Sequence, residues 1–196
     1  MKGGSAIQVS PYGYDDVLQV QVDEENNMIV SDCAMVFDIT VKGPDGKPVE
    51  LNYTDYVDPE TGMMLGYEVD TETGELGTTL KAVEPADPVK DKDGNLVKGK
   101  DFYGWNTKLG QDYGDILSLI AYRIPTEKEY SILKLKVKRF FMKTTGGIIM
   151  VPKIFTQVAG FDFDIDKLFF IRKDFGFNIK KEVTNKDIWE GIYQWL

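Results

Sequence analysis

Apolar and polar side chains alternate with a period of two along much of this chain, and that pattern predicts β-strands. The alternation is clearest at residues 17–22, 35–41 and 130–138. Shorter runs at 6–9 and 147–152 follow the same rule. Successive residues of such a run face opposite sides of a sheet, so each run indicates a half-buried strand.

Four turns rich in Asp and Gly, at residues 43–46, 58–62, 70–74 and 91–95, separate short strand-like runs. Such spacing predicts successive hairpins. The last turn resembles a calcium-binding loop, but Phe102 stands where a bidentate Glu would close that loop. We therefore predict a hairpin turn there.

Three further segments complete the secondary-structure prediction. Residues 115–122 fit either a short helix or a buried strand, because their apolar residues are nearly continuous. Residues 175–183 suit another strand, and residues 185–196 begin with a capping-type Asn and predict a helix. The chain is thus expected to be mainly β.

Composition removes several kinds of chemistry. The 196 residues include no histidine, which excludes histidine-based acid/base catalysis and histidine metal sites. Cys33 is the only cysteine, which excludes an internal disulfide and fits a reducing cytosol. No basic-then-apolar leader opens the sequence and no apolar run could span a bilayer, so we expect a cytoplasmic protein with no membrane contact.

The formal charge of −9 is unevenly distributed. Residues 23–115 are strongly acidic, whereas residues 123–181 are rich in Lys and Arg. A polyanion would meet the second part; the alternative is a solvated basic face.

Asp162, Asp164 and Asp166 form the one constellation that suggests metal chemistry. On a regular strand the three would span about 13 Å, at roughly 3.3 Å per residue. Magnesium needs oxygen ligands at about 2.1 Å, so the triad shares one ion only if the chain curls there. Gly160 gives the backbone that freedom, and the apolar runs 154–155 and 168–171 would anchor the loop. The alternative is a solvated acidic turn.

Three segments, in order, resemble the catalytic barrel of two-barrel DNA-dependent RNA polymerases. Residues 5–11 (Ser-Ala-Ile-Gln-Val-Ser-Pro) resemble its opening strand, although Gly4 stands where that family has Arg. Residues 123–126 (Arg-Ile-Pro-Thr) resemble its Arg-x-Pro-Thr segment, and residues 162–166 resemble its Asp-Phe-Asp-Gly-Asp loop. The chain is most similar to the single-chain polymerases of prophages and crAss-like phages, in which the middle Gly of the Asp loop is not required.

The resemblance implies specific roles. Asp162, Asp164 and Asp166 would hold the catalytic Mg²⁺, or Mn²⁺, for nucleotidyl transfer. Arg123 would donate to the hydroxyls of the incoming ribose and Pro125 would shape that wall; for Arg123 the alternative is a surface ion pair. Gly160 replaces the family's Asn, which helps to select ribose, and Ile165 replaces the loop's Gly.

The resemblance also implies a double-psi β-barrel over residues 1–22 and 116–183, with a β-rich acidic insertion at 23–115, short helices and a C-terminal helix at 184–196. A second barrel would supply lysines for the triphosphate, and the other partners would be nucleoside triphosphates, a nucleic acid template and the RNA product. This length has no room for that second barrel, so we expect a domain or split subunit that is inactive alone. It would work in the host cytoplasm or be packaged in a virion.

The alternative function is a non-catalytic phage virion or interaction protein. Its binding surface would be the acidic middle of the chain, where aromatic residues stand near the turns: Tyr53, Tyr56, Tyr67, Tyr103 and Trp105. Aromatic residues in such places also form small satellite cores.

Overall fold

The computed structural model describes residues 2–9, 17–25, 28–123, 132–155 and 166–172. Most of the regular structure in these ranges is strand, which confirms the prediction of a mainly β protein. The described strands are β1 (Lys2–Val9), β2 (Val20–Val22), β3 (Met28–Val36), β4 (Thr40–Lys42), β5 (Pro48–Glu50), β6 (Met64–Gly66), β7 (Lys81–Val83), β8 (Ser118–Arg123), β9 (Ile132–Phe141), β10 (Ile148–Val151) and β11 (Asp166–Arg172). The α-helix among them is α1 (Lys108–Tyr113), and 3₁₀ turns occur at Tyr53–Asp55 and Lys143–Thr145.

Seven strands form one sheet in the order β10-β1-β11-β8-β9-β3-β2, and β10 also pairs with β3. The pairings of six of these strands therefore run in a cycle, closed by the β3–β10 contact of two residue pairs. Two pairings are parallel, β1 with β10 and β3 with β9, and the other four are antiparallel.

This cycle has a two-fold pattern that follows the chain order. Exchanging β1 with β9, β3 with β10 and β8 with β11 leaves every pairing and its direction unchanged. The first half is thus β1, β3 and β8, and the second half is β9, β10 and β11. β3 lies within this sheet, so the segment that we assigned to the acidic insertion contributes its first strand to the main sheet.

Alternate residues of β9 are buried, as its sequence pattern predicts. Leu133, Leu135 and Val137 are 1–3% exposed and lie in the core, whereas Lys134 and Lys136 between them are partly exposed. The same core is completed from neighbouring strands by Cys33, Met35, Leu119, Ala121, Ile149, Val151, Leu168 and Phe170.

Residues 37–117 leave this sheet after β3 and return at β8, and we call them the insertion. It is built from the two-stranded β4–β5 and β6–β7 sheets, α1 and the predicted turns. Its core is continuous with that of the main sheet, because the Phe37 ring meets Phe140 edge-on with centroids 5.1 Å apart and stacks on Tyr56. The insertion is therefore packed onto the sheet through a shared core.

The four predicted turns are confirmed. The first joins β4 to β5, and the others are closed by the bridges Val57–Met64, Val69–Leu76 and Lys90–Leu96. In the last, Asp91 Oδ1 accepts bonds from the backbone N–H groups of Asp93 and Asn95, both at 2.9 Å, which is the hairpin turn expected there.

Several strand predictions need correction. The run 35–41 is not one strand, because β3 ends at Val36 and β4 begins at Thr40. The run 17–22 is strand only from Val20. For residues 115–122, which fitted either a helix or a strand, the structure has the strand β8 at Ser118–Arg123. The predictions for 175–183 and for the C-terminal helix at 184–196 lie outside the described residues.

Candidate functional site

The site predicted from the Asp triad falls only partly within the described residues. Asp162, Asp164 and Pro125 lie outside them, and for Arg123 and Asp166 the backbone positions are described. Arg123 is the last residue of β8 and pairs with Leu168, while Asp166 is the first residue of β11 and pairs with Ile7.

The pairing of β8 with β11 brings these two positions to one end of the sheet. Leu168 lies opposite Arg123, so Asp166 stands two residues further along the neighbouring strand. Such diagonal neighbours are about 7–8 Å apart. The backbone thus brings together the predicted ribose-contacting residue and one predicted metal ligand.

The anchors predicted for the Asp loop are confirmed in part. Phe155 before the loop and Leu168 and Phe170 after it are buried. Ile154 and Ile171 are each 42% exposed, so the prediction that these two also anchor the loop is wrong. For Ile171 the reason is alternation, since neighbours of a buried strand residue face away from the core, whereas Ile154 lies in a turn after β10.

A short internal repeat, which we missed in the sequence, accompanies the two-fold pattern of the strands. Asp115, Ile116, Leu119 and Arg123 recur 49 residues later as Asp164, Ile165, Leu168 and Arg172. Both leucines are buried at the same point of the equivalent strands β8 and β11. The constant spacing of 49 residues was the sequence signal of this repeat. With only four matches in nine positions, the repeat does not stand out without the strand pairing.

The outer side of β9 carries a row of basic side chains, which we call the basic row: Lys134, Lys136, Lys138 and Arg139. A bulge lies within it, because Cys33 pairs with Val137 but Ala34 pairs with Arg139, so Lys138 is an extra residue. The bulge lets two consecutive basic residues reach the same carboxylate: Lys138 Nζ is 3.9 Å from Glu84 Oε2, and Arg139 Nη1 donates to that oxygen at 3.0 Å. Arg139 Nη2 also donates to Glu84 Oε1.

Three more acidic groups complete the cover over the basic row and the turn after it. Lys136 Nζ is 2.5 Å from Asp87 Oδ1, and Lys138 Nζ is 3.5 Å from Asp32 Oδ2. Lys143, which follows β9, lies 2.5 Å from Glu50 Oε1. Glu84, Asp87 and Glu50 all belong to the insertion, so the insertion meets the basic strand through opposite charges.

The segment 84–87 is held against the basic row by buried polar groups. The Asn106 side chain, 3% exposed, accepts from Ala86 N at 2.7 Å and donates to Glu84 O at 2.9 Å. Trp105 Nε1 donates to Asp87 O at 3.0 Å. These bonds fix the backbone that carries both carboxylates.

The aromatic residues of the insertion are mainly core residues. Tyr56, Tyr103 and Trp105 are at most 8% exposed, and Tyr53 and Tyr67 are partly buried. Burial raises the pKa of the Tyr103 hydroxyl, and the nearby charges of Asp32 and Asp87 raise it further. The exposed aromatic surface on which the interaction-protein alternative depended is therefore mostly absent from the described residues.

Within the described ranges no three Asp, Glu, Cys or His side chains are close enough to share a metal ion. None of the helices in those ranges is long and apolar enough to cross a membrane. No family model, curated protein or solved structure matches the chain.

Proposed function

We propose that this chain is the metal-binding barrel of a two-barrel DNA-dependent RNA polymerase. The observation that carries the proposal is the cyclic pairing of β1, β3, β8, β9, β10 and β11. Closing a sheet into a barrel requires such a cycle. The two halves of the cycle have equivalent pairings, and two of these pairings are parallel. This pattern favours a double-psi barrel rather than an open sandwich.

The position of the Asp loop supports the same proposal. Asp166, the last residue of the loop, begins β11 beside the end of β8 at Arg123. The polymerase resemblance requires segments 123–126 and 162–166 to meet, and these two described residues, far apart in sequence, lie on neighbouring strands. The resemblance rests on sequence segments alone, so the adjacency of Arg123 and Asp166 in the sheet supports the proposal independently.

Asp162, Asp164 and Asp166 would hold the Mg²⁺, which would activate a primer 3′-hydroxyl and stabilise the charge of in-line phosphoryl transfer. Arg123 would bind the hydroxyls of the incoming ribose beside Pro125. Three carboxylates brought together there would repel one another, and a divalent cation would relieve that repulsion. Gly160 cannot donate a side-chain hydrogen bond to a sugar, so discrimination against deoxyribose would be weaker than in a family member with Asn there.

A second barrel would supply the lysines that neutralise the triphosphate. Nucleoside triphosphates, template and RNA product would bind between the two barrels. We therefore propose that the isolated chain binds the metal ion weakly and adds no nucleotides alone.

The proposal is tested by titrating the chain with Mn²⁺ and measuring water proton relaxation. Wild type should show one weak site, and Asp164→Ala should lose it. The matched control is Asp93→Ala, which removes an exposed Asp from a hairpin turn of the insertion. Equal responses from wild type and Asp164→Ala would overturn the proposed metal site.

A further inference from the structure

The net charge of this protein is concentrated in one part of it. The insertion, residues 37–117, has 17 acidic and eight basic side chains, a net charge of −9. The remaining residues carry 15 of each, a net charge of zero. The insertion therefore accounts for the whole net charge of the chain.

Two carboxylates of the insertion, those of Glu84 and Asp87, pair with β9, which carries a dense row of basic residues. Lys134, Lys136 and Lys138 recur at every second residue of β9, about 6.8 Å apart along the strand. Arg139 extends the row through the bulge. A row of cations at regular spacing suits a linear polyanion better than a single small anion.

From this juxtaposition we infer that the basic row is a binding surface for the backbone of single-stranded nucleic acid, and that segment 84–87 of the insertion covers it as an internal competitor. Glu84 and Asp87 occupy the amino and guanidinium groups that phosphates would otherwise contact. The carboxylates of these pairs face solvent, since the Glu84 and Asp87 side chains are 50% and 59% exposed, whereas the Arg139 and Lys136 side chains beneath them are only 10% and 16% exposed. A phosphate can therefore reach the cations only by displacing the carboxylates.

The hydrogen bonds of Asn106 and Trp105 make this cover a built feature. They hold the backbone of segment 84–87 in place, so the two carboxylates need no ordering when they meet the lysines. A strand of nucleic acid must then displace a preorganised competitor, which limits binding to high local concentrations of nucleic acid. This step rests on the proposed function, under which a template or product already held nearby would supply such concentrations.

The test compares two variants with the same net charge of −7. Glu84→Gln/Asp87→Asn uncovers the basic row, and Glu72→Gln/Asp93→Asn removes two charges from hairpin turns elsewhere in the insertion. The probe is a fluorescein-labelled 20-nucleotide single-stranded DNA, followed by fluorescence anisotropy from 50 to 200 mM salt. Two new phosphate contacts should tighten binding on the order of tenfold at 50 mM salt and steepen the log–log salt slope by about 1.4.

Two further variants keep the inference falsifiable. Glu50→Gln/Asp87→Asn leaves the Arg139–Glu84 pair intact, so it tests the same idea if loss of Glu84 impairs folding. Adding Lys136→Gln and Lys138→Gln to Glu84→Gln/Asp87→Asn, or Lys136→Gln and Lys143→Gln to Glu50→Gln/Asp87→Asn, should abolish the gained binding.

Equal binding by the uncovered and control variants would overturn the inference, as would gained binding that survives loss of the two lysines. Tighter binding to polyglutamate than to the oligonucleotide would reject nucleic acid as the ligand. None of these variants changes Asp162, Asp164 or Asp166, so this result and the Mn²⁺ titration can fail separately.

Discussion

Replacing Glu84 with Gln should destabilise the protein far more than its surface position suggests. The change keeps the shape of the side chain but removes the charge that faces Arg139. Arg139 has a side chain only 10% exposed, because the insertion covers it on the outer side of β9. The substitution thus leaves a nearly buried guanidinium without its counter-charge.

The magnitude follows from the burial of the two partners. Removing one member of a fully buried ion pair costs about 3–5 kcal/mol. Glu84 is 50% exposed, so water reaches the pair and screens part of that cost. The Arg139 Nη1 group also keeps its bond to the Lys138 carbonyl at 2.9 Å. We therefore expect a loss of about 2 kcal/mol in the free energy of unfolding.

Urea unfolding followed by circular dichroism measures this value. The control is Glu68→Gln, which breaks an ion pair with Lys81 whose partners are 69% and 47% exposed and should cost less than about 0.5 kcal/mol. Adding Arg139→Met to Glu84→Gln should recover much of the loss, because an apolar side chain needs no counter-charge. The reasoning is wrong if Glu84→Gln and Glu68→Gln lower stability equally, or if Arg139→Met deepens the loss.

Three other predictions concern single buried positions. Gly110→Ala, normally stabilising in a helix, should lower the free energy of unfolding by about 1–3 kcal/mol, because a Cβ there would overlap the Gly104 carbonyl oxygen. Urea unfolding measures this loss, and the control is Gly77→Ala, whose Cβ would have its nearest neighbour at 3.6 Å. Burial raises the pKa of the Cys33 thiol, so Ellman's reagent should react with it only in denaturant, and rapid reaction of the native protein would contradict its burial. Burial raises the pKa of the Tyr103 hydroxyl, so this group ionises near pH 10 in the unfolded chain but stays protonated there in the folded chain. The free energy of unfolding should therefore fall as the pH rises above about 10. Tyr103→Phe should reduce that fall, measured as the change in urea midpoint between pH 9 and 11.

Local patterns in the sequence predicted local structure well. The alternation along β9 is visible in the chain because one face is core and the other is polar, and the Asp-Gly turns carry their own hydrogen bonds. Residues 115–122 were ambiguous because Ile120 and Tyr122 are apolar on the outer face of β8 too. For β3 the prediction, 35–41, overlapped the strand Met28–Val36 only at its last two residues, and the apolar Phe37 and Ile39 continue the pattern while packing into the insertion core.

The long-range arrangement was not readable in the same way. The adjacency of Arg123 and Asp166 depends on the register of β8 against β11, which no local pattern specifies. The excess acid of the insertion and the lysines of β9 were both evident as compositions. The ion pairs between them were not evident in the sequence, because they depend on the position of segment 84–87 over β9.

The two-fold pattern explains how so large an insertion is compatible with the proposed site. The insertion joins the second and third strands of the first half, and residues 152–165, which include most of the Asp loop, join the same strands of the second half. The third strands β8 and β11 run antiparallel, so these two connections enter the pair at opposite ends. The insertion arrives at Ser118, near Arg172, and the Asp loop arrives at Asp166, near Arg123. A strand of five to six residues separates the two ends by about 17–20 Å. A large insertion that covers β9 can therefore join β8 at Ser118 without occupying the end of the sheet where the metal would bind.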